Sequence, residues 1–257
     1  MPLTIPSKLE LDAVDAVIDF KRLRVLEIGA GDGRLSHALA GPTRYWLATD
    51  NDRDELAIGA EETSTNAKRL RWAISNAGQL PVKDSSFDLV FFTWSLCCVA
   101  EAQAAALRES WRVLRRGGVL LAIHATDARA QLEVWHAISS TGTAEVTADN
   151  LEAMNRTPLG ALDHDLEARR HFTRANDALL DVLDTGAFEH AGVKAFEYQY
   201  FFDDLDDLTD YLEDSHEHAR PRDGQLEAAV AAMRRATTTP KLVLIQPSMV
   251  VALRKSS

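Results

Sequence analysis

The stretch Val25-Leu26-Glu27-Ile28-Gly29-Ala30-Gly31-Asp32-Gly33, with Asp50 following 17 positions after Gly33, decides the fold. A short apolar run feeds into three glycines at alternate positions. That is a buried strand ending in a turn where the backbone needs positive φ or must come close to a ligand, both of which glycine permits. The run from Arg34 to Ala40 reads as the start of a helix, so the turn lies under a helix N-terminus, where backbone N–H groups point outward. A second apolar run, Tyr45-Trp46-Leu47-Ala48-Thr49, ends in Asp50. A carboxylate at the tip of the second strand of such a unit is placed to accept hydrogen bonds from a ribose diol. The constellation points to a nucleoside-containing cofactor.

The pattern continues outward from this unit. Leu11, Val14, Val17 and Ile18 form a helical stripe ahead of it. After it, helices over 53–61 and 102–114 alternate with strands over 70–74, 87–93 and 119–124. Apolar strands of this length between helices predict a parallel sheet buried on both faces. Right-handed crossovers make it doubly wound. The expected fold class is therefore α/β, a doubly wound, mostly parallel sheet. Strands over 193–202 and 249–253 bring the number to seven. In such sheets ligands bind beyond the carboxyl ends of the strands. The candidates at those ends are Gly29, Asp50, Asn76, residues Thr93 to Leu96, and His124. Residues 125–191 and 203–237 read as mostly helical insertions that form one cap over the carboxyl edge, within a single domain spanning 1–257. Thr141-Gly142-Thr143 and Thr157-Pro158-Leu159-Gly160 read as turns in the first of them.

Composition excludes several function classes. A 46% hydrophobic content argues for a globular chain rather than a disordered one. The net charge of −11 and pI near 5.2 repel phosphate backbones, so a nucleic-acid partner is not expected. The basic pairs, such as Arg115-Arg116 and Arg234-Arg235, are too short to form a basic face. No apolar run reaches the roughly 20 residues of a membrane span, and the first ten residues lack the order of a signal peptide. The two cysteines, Cys97 and Cys98, are adjacent and exclude a disulfide framework; they suit a reducing cytoplasm and are expected to be buried as small hydrophobes.

No metal site is expected. His216-Glu217-His218 puts its histidines at i and i+2, which diverge on a helix. The acidic run Asp203–Leu208 lacks the spacing of a calcium loop. Leu205, Leu208 and Leu212 instead make it the solvated side of an amphipathic helix.

The glycine spacing decides which nucleoside cofactor is expected. In the dinucleotide fingerprint G-x-G-x-x-G the third glycine would fall on Arg34. The actual pattern, E-x-G-x-G-x-G, resembles motif I of class I S-adenosylmethionine-dependent methyltransferases. Asp50 matches that family's ribose-binding acid. Asn76-Ala77-Gly78-Gln79-Leu80-Pro81 resembles its adenine-contacting segment. Ser86-Phe87-Asp88-Leu89-Val90 resembles the opening of its fourth strand, and Leu107 through Gly118 resembles the helix and Gly-Gly turn before its fifth. The resemblance covers residues 20–125 and is strongest to the small-molecule branch that includes quinone-biosynthesis C-methyltransferases.

The resemblance implies a Rossmann-like methyltransferase fold and S-adenosylmethionine as cofactor. It places Glu27, Gly29, Ala30, Gly31, Gly33, Asp50, Asn51, Asn76, Ala77 and Thr93 around that cofactor, with Trp94 and Ser95 bordering the acceptor. Where the branch usually has Asp, this chain has Asn76, whose amide oxygen can still accept from an adenine amino group. Glu27 is expected to accept from amides of the glycine turn. Methyl transfer from a sulfonium needs alignment above all, and a base only where the nucleophile carries a proton. His124, at the end of the fifth strand, is the candidate base. The expected function is methyl transfer to a small-molecule acceptor. The alternative is a non-catalytic, cofactor-binding regulatory or partner subunit on the same fold.

Overall fold

A computed structural model describes residues 7–63, 69–99, 102–138, 146, 153–164, 166–214 and 219–256. Strand β1 (Arg24–Ile28) runs parallel between β2 (Tyr45–Asp50) and β4 (Phe87–Thr93), with β3 (Leu70–Ile74) outside β2 and β5 (Leu114–Ala125) outside β4. Successive side chains alternate faces. Val25, Trp46, Leu89 and Phe91 face one way, onto Ala13 and Val14 of α1 (Lys8–Asp15) and Leu35 and Leu39 of α2 (Arg34–Leu39). Leu26, Val90, Phe92 and Leu120 face the other, onto Ala106 and Leu107 of α4 (Gln103–Val113) and Ala175 and Leu179 of α5 (Leu166–Asp184). Both faces are covered, which is why these strands read as unbroken apolar runs. Helix α3 (Arg53–Glu62) starts at Asp52, whose carboxylate accepts from the backbone N–H groups of Asp54 and Glu55.

The remaining elements are β6 (Gln131–Ala137), β7 (Met154–Ala161), β8 (Asp163–His164), β9 (Phe188–Phe202), α6 (Leu205–Asp214), β10 (Ala219–Arg220), α7 (Gln225–Arg235) and β11 (Lys241–Lys255). Strand β11 organises them. Its second half pairs antiparallel with β5, from Ser248 opposite Ala125 to Arg254 opposite Val119. Its first half pairs with β6, from Lys241 opposite Trp135 to Ile245 opposite Gln131. Strand β9 pairs antiparallel along nearly its whole length. The chain leaving β5 therefore runs on along the same edge as β6, beyond the carboxyl edge of the parallel sheet. The sheet order is β3-β2-β1-β4-β5-β11-β6-β7, with β9 on β11.

This corrects the expected helical cap. Among the described residues of 125–191 three strands precede α5, and α5 packs beside α4 as a layer helix of the main sheet instead of covering its carboxyl edge. The main sheet has nine strands among the described residues, two more than the sequence suggests. The period-2 signal was present in Gln131-Leu132-Glu133-Val134, where only the two apolar residues are buried. Pro158 and Gly160 do not make a turn; they lie in β7, where the register with β6 shifts between Leu132 and Glu133. Thr141–Thr143 and His216–His218 lie outside the described residues. Helices α6 and α7 do pack on the extension: Leu208, Ala229 and Ala232 share a core with Leu132, Val134, Leu242 and Leu244. Leu205 and Leu212 lie on the same side of α6, as its spacing predicts. Among the described residues no helix is long and apolar enough to cross a membrane.

Candidate functional site

The carboxyl ends of β1, β2, β3, β4 and β5 open into a cleft of about 720 Å³. The glycine turn forms one wall. Gly29 has φ +74 and Gly33 φ +83. Both are also sterically closed to a side chain: a Cβ on Gly29 would lie 2.2 Å from Ser95 Cβ, and one on Gly33 2.1 Å from Trp72 Cη2. Gly29, Ala30 and Gly31 line the cleft, whereas Gly33 is turned behind the turn against Trp72 and is not part of the lining. The Gly31 N–H donates to Asp50 Oδ2 at 2.8 Å, and the Asp52 N–H donates to Oδ1 at 2.9 Å. The Asp50 carboxylate is thus fixed across the turn, with a lone pair on each oxygen still available.

Glu27 does not accept from the turn amides, as the sequence suggested; Asp50 does. The Glu27 side chain is wholly buried and accepts from the Ser36 hydroxyl, from Trp46 Nε1 at 2.7 Å and from Thr93 Oγ1 at 3.1 Å. Thr93 Oγ1 also lies 3.0 Å from the Gly29 carbonyl. Glu27 therefore ties β1 to α2, β2 and β4 directly beneath the turn. Burial outweighs these hydrogen bonds and the charge of Arg34, pushing its pKa up from 4.5 to about 7. A carboxyl raised in the folded state stabilises the fold fully below its unfolded pKa, and that contribution is lost as pH rises through 7. The span corresponds to roughly 3 kcal/mol. Glu27→Gln, which keeps the shape and removes the titration, is expected to flatten the fall in melting temperature between pH 5 and 8. Parallel slopes for the two proteins would exclude this role.

The opposite wall is aromatic. Trp94 sits at φ +59, a costly backbone conformation for a bulky residue. Its Nε1 donates to Glu10 Oε1 at 2.7 Å, and its ring meets Tyr198 edge-on at 5.0 Å and Phe196 at 6.2 Å. Glu10, fully buried on α1, also receives both terminal nitrogens of Arg34. The Arg34 guanidinium lies 5.8 Å from the Tyr198 ring centroid. Trp94 lines the cleft together with Arg34, Tyr198 and Tyr200. Ser95 lines it too, with its hydroxyl donating to the Ile28 carbonyl at 2.5 Å.

His124 lies at the end of β5, 1% exposed, and contributes to the cleft lining. Its Nδ1 is 3.0 Å from the Ala125 carbonyl, which can only accept, so Nδ1 carries the hydrogen. Nε2 then carries a lone pair and is itself buried, with no hydrogen-bond partner among the described residues. Burial lowers the pKa of this imidazole, keeping it neutral at pH 7. Asn51, Asn76, Ala77 and Thr93 also line the cleft. The Asn76 side-chain oxygen receives the Gly78 N–H at 2.8 Å, so one of its lone pairs is already taken.

Several lining residues were not read from the sequence as part of a site, among them Arg34, Tyr198 and the cysteines. The cysteines are not the buried hydrophobes expected: Cys98 is exposed, Cys97 half-buried, and both face the cleft. Among the described residues no group of three or more His, Cys, Asp or Glu could hold a metal.

Residues 26–122 match the methyltransferase domain family. The ubiquinone/menaquinone biosynthesis C-methyltransferase UbiE of Laribacter hongkongensis is 35% identical over 105 residues, which are 39% of this chain and 42% of the relative. The chain thus spans about two fifths of the length of the curated relatives it matches. Among solved structures, an S-adenosylmethionine dependent methyltransferase from Mesorhizobium loti superposes with a TM-score of 0.53 at 15% identity, covering 96% of this chain and 98% of that one. The 4+2 cyclase SpnF superposes with a TM-score of 0.54 at 17% identity, covering 95% of this chain and 79% of the other. Over about two fifths of its length the chain is similar in sequence to quinone-biosynthesis C-methyltransferases. Its fold is that of the class I S-adenosylmethionine-dependent methyltransferases.

Proposed function

We propose that this protein transfers a methyl group from S-adenosylmethionine to a small-molecule acceptor. The observation that carries the reading is the glycine turn clasped by Asp50, with His124, whose buried Nε2 has no partner among the described residues, in the lining of the same cleft. A fold shared with a cyclase does not by itself carry an activity, so the reading rests on these residues. When bound, the cofactor supplies an activated methyl on a positively charged sulfur. The chain's own residues do the rest. Asp50 accepts from the ribose hydroxyls through its free lone pairs. Asn76 and Ala77 border the base. Ala30 and Gly31 offer close backbone approach. Trp94, Tyr198 and Tyr200 hold the acceptor by its apolar faces and keep water away. His124 Nε2 takes a proton from an acceptor that carries one, passing from the neutral to the charged form.

The family relationship favours a quinone-like acceptor, and the aromatic wall suits a planar one. The net charge of −11 disfavours nucleic acid. Recognition is assigned to the last part of β9, Gln199 to Phe202, and to β6, which flank the same stretch of β11 beyond the carboxyl edge. A cytoplasmic location belongs to this reading, consistent with free thiols. The test has two stages: calorimetric titration with S-adenosylmethionine, S-adenosylhomocysteine and NAD, then transfer of a labelled methyl to a panel of quinols, phenols and amines. Binding of the first two without NAD, followed by label in a product, supports the proposal. Binding without transfer to any acceptor favours the non-catalytic subunit, and preference for NAD sinks both.

A further inference from the structure

We propose that Cys97 and Cys98 form a dithiol site that chelates a thiophilic trivalent arsenical at the wall of the cofactor cleft. The two sulfurs lie 3.7 Å apart and in mutual contact, held by a tight turn in which the Cys98 N–H donates to the Ser95 carbonyl at 3.0 Å. Both face the Trp94 carbonyl, at 3.6 and 3.7 Å. Both line the cleft, and Cys98 is exposed within it.

The geometry selects the chemistry. Cα atoms across a trans peptide are about 3.8 Å apart. An unstrained disulfide wants about 4.4–6.8 Å. These thiols are therefore poorly placed to oxidise against each other, and the sequence has no third cysteine to pair with either. A single soft centre bridging both sulfurs needs no such separation, and soft thiolates select soft centres. A divalent metal wants further side-chain ligands, and among the described residues no group of three or more His, Cys, Asp or Glu gathers to supply them. Trivalent arsenic needs only two sulfurs beside its own organic substituent.

The balance is simple. An arsenoxide R–As=O meets two thiols; two As–S bonds form, both thiol protons leave with the arsenic's oxygen as one water, and no oxidation state changes. The contact between the sulfurs assists attack, since it lowers the pKa of Cys98 to about 7 while raising that of Cys97. The carboxylate of Asp50 is close enough to oppose that lowering electrostatically. A bridged arsenical therefore stands beside the residue assigned to the ribose and should exclude the cofactor. That overlap rests on the function proposed above; the chelate does not.

The experiment uses phenylarsine oxide on the full chain, read by intact mass. The wild type should take up one equivalent, released by a dithiol and retained against a monothiol. Cys97→Ser and Cys98→Ser should each bind at least about 100-fold more weakly, having lost the second, intramolecular bond. Melting temperatures check that both variants are folded, with Cys98→Ala replacing a serine variant that melts early. S-adenosylhomocysteine should slow uptake, and the adduct should bind it at least about tenfold more weakly. An unmodified wild type, or one no tighter than the single variants, overturns the chelate. An adduct that binds S-adenosylhomocysteine normally overturns its placement in the cleft. If the unmodified protein binds no S-adenosylhomocysteine at all, the functional reading fails and the mass result alone decides the chelate.

Discussion

His124→Asn is expected to lower kcat by about 10²- to 10⁴-fold, the range a positioned general base supplies, while leaving affinity for S-adenosylhomocysteine nearly unchanged. Nδ1 is committed to the Ala125 carbonyl, so the lone pair on Nε2 is the basic position of the ring, and among the described residues no protein group takes it. Leaving a buried acceptor without a partner costs about 1–3 kcal/mol. A sequence with no use for the lone pair would gain stability from an apolar residue at this place. His124→Leu should therefore raise the melting temperature even as it removes turnover, a pairing that a merely structural histidine would not give. The pH profile supplies an independent check. Because burial lowers the pKa below its usual 6.5, the base form persists to lower pH. The wild-type rate should fall to half on acidification at a pH below 6.5, where an ordinary imidazole would already be half protonated. A His124→Asn variant that kept normal kcat with the acceptor found by label transfer would reduce the residue to pocket wall.

What the sequence disclosed and what it hid divide along contact range. The turn from Gly29 to Gly33 was legible because its constraint is local. Positive φ and the absence of a Cβ are properties of the residue itself, and the reason for two of those glycines, Ser95 and Trp72, need not be known to read them. The parallel strands were legible because burial on both faces leaves continuous apolar runs. The β6 extension was not, since it is stabilised by pairing with β11 over a hundred residues away, and its alternation of Leu132 and Val134 with Gln131 and Glu133 lasts only a few positions. Glu27 was legible as an acid near the turn but not in its role. Its partners Ser36, Trp46 and Thr93 come from three different elements, and only their convergence shows that it anchors the strand rather than the loop. The same holds for Glu10, whose contact with Trp94 spans 84 positions. Tyr198 and Tyr200 carried a usable hint: two tyrosines two apart on a strand share a face, and that face belongs to the cleft. Cys97 and Cys98 misled because they follow a buried strand. The chain turns at Trp94 directly after β4, and that turn carries both thiols out to the cleft.

Asp50→Ala is expected to weaken binding of S-adenosylmethionine and S-adenosylhomocysteine by about 10- to 150-fold. A charge-assisted hydrogen bond to a ribose hydroxyl is worth about 1.5–3 kcal/mol, and each 1.4 kcal/mol is tenfold. The structure adds a second route to the same loss. Asp50 holds the Gly31 N–H at 2.8 Å and the Asp52 N–H at 2.9 Å, so the alanine variant also frees the turn and the start of α3. The two routes separate with Asp50→Asn. The amide oxygen can still take one backbone N–H and keep the carboxylate's outline, but it has no charge and only one accepting atom. If the ribose contact dominates, the asparagine variant should lose most of the affinity while its melting temperature without ligand stays near that of the wild type. If the turn dominates, affinity and melting temperature should fall together in the alanine variant, and both should largely return in the asparagine variant. Calorimetry on the three proteins, alongside their melting curves, distinguishes these outcomes. Unchanged affinity in both variants would mean that the carboxylate serves only the turn, and the cofactor would then have to be held by the backbone of Ala30 and Gly31 alone.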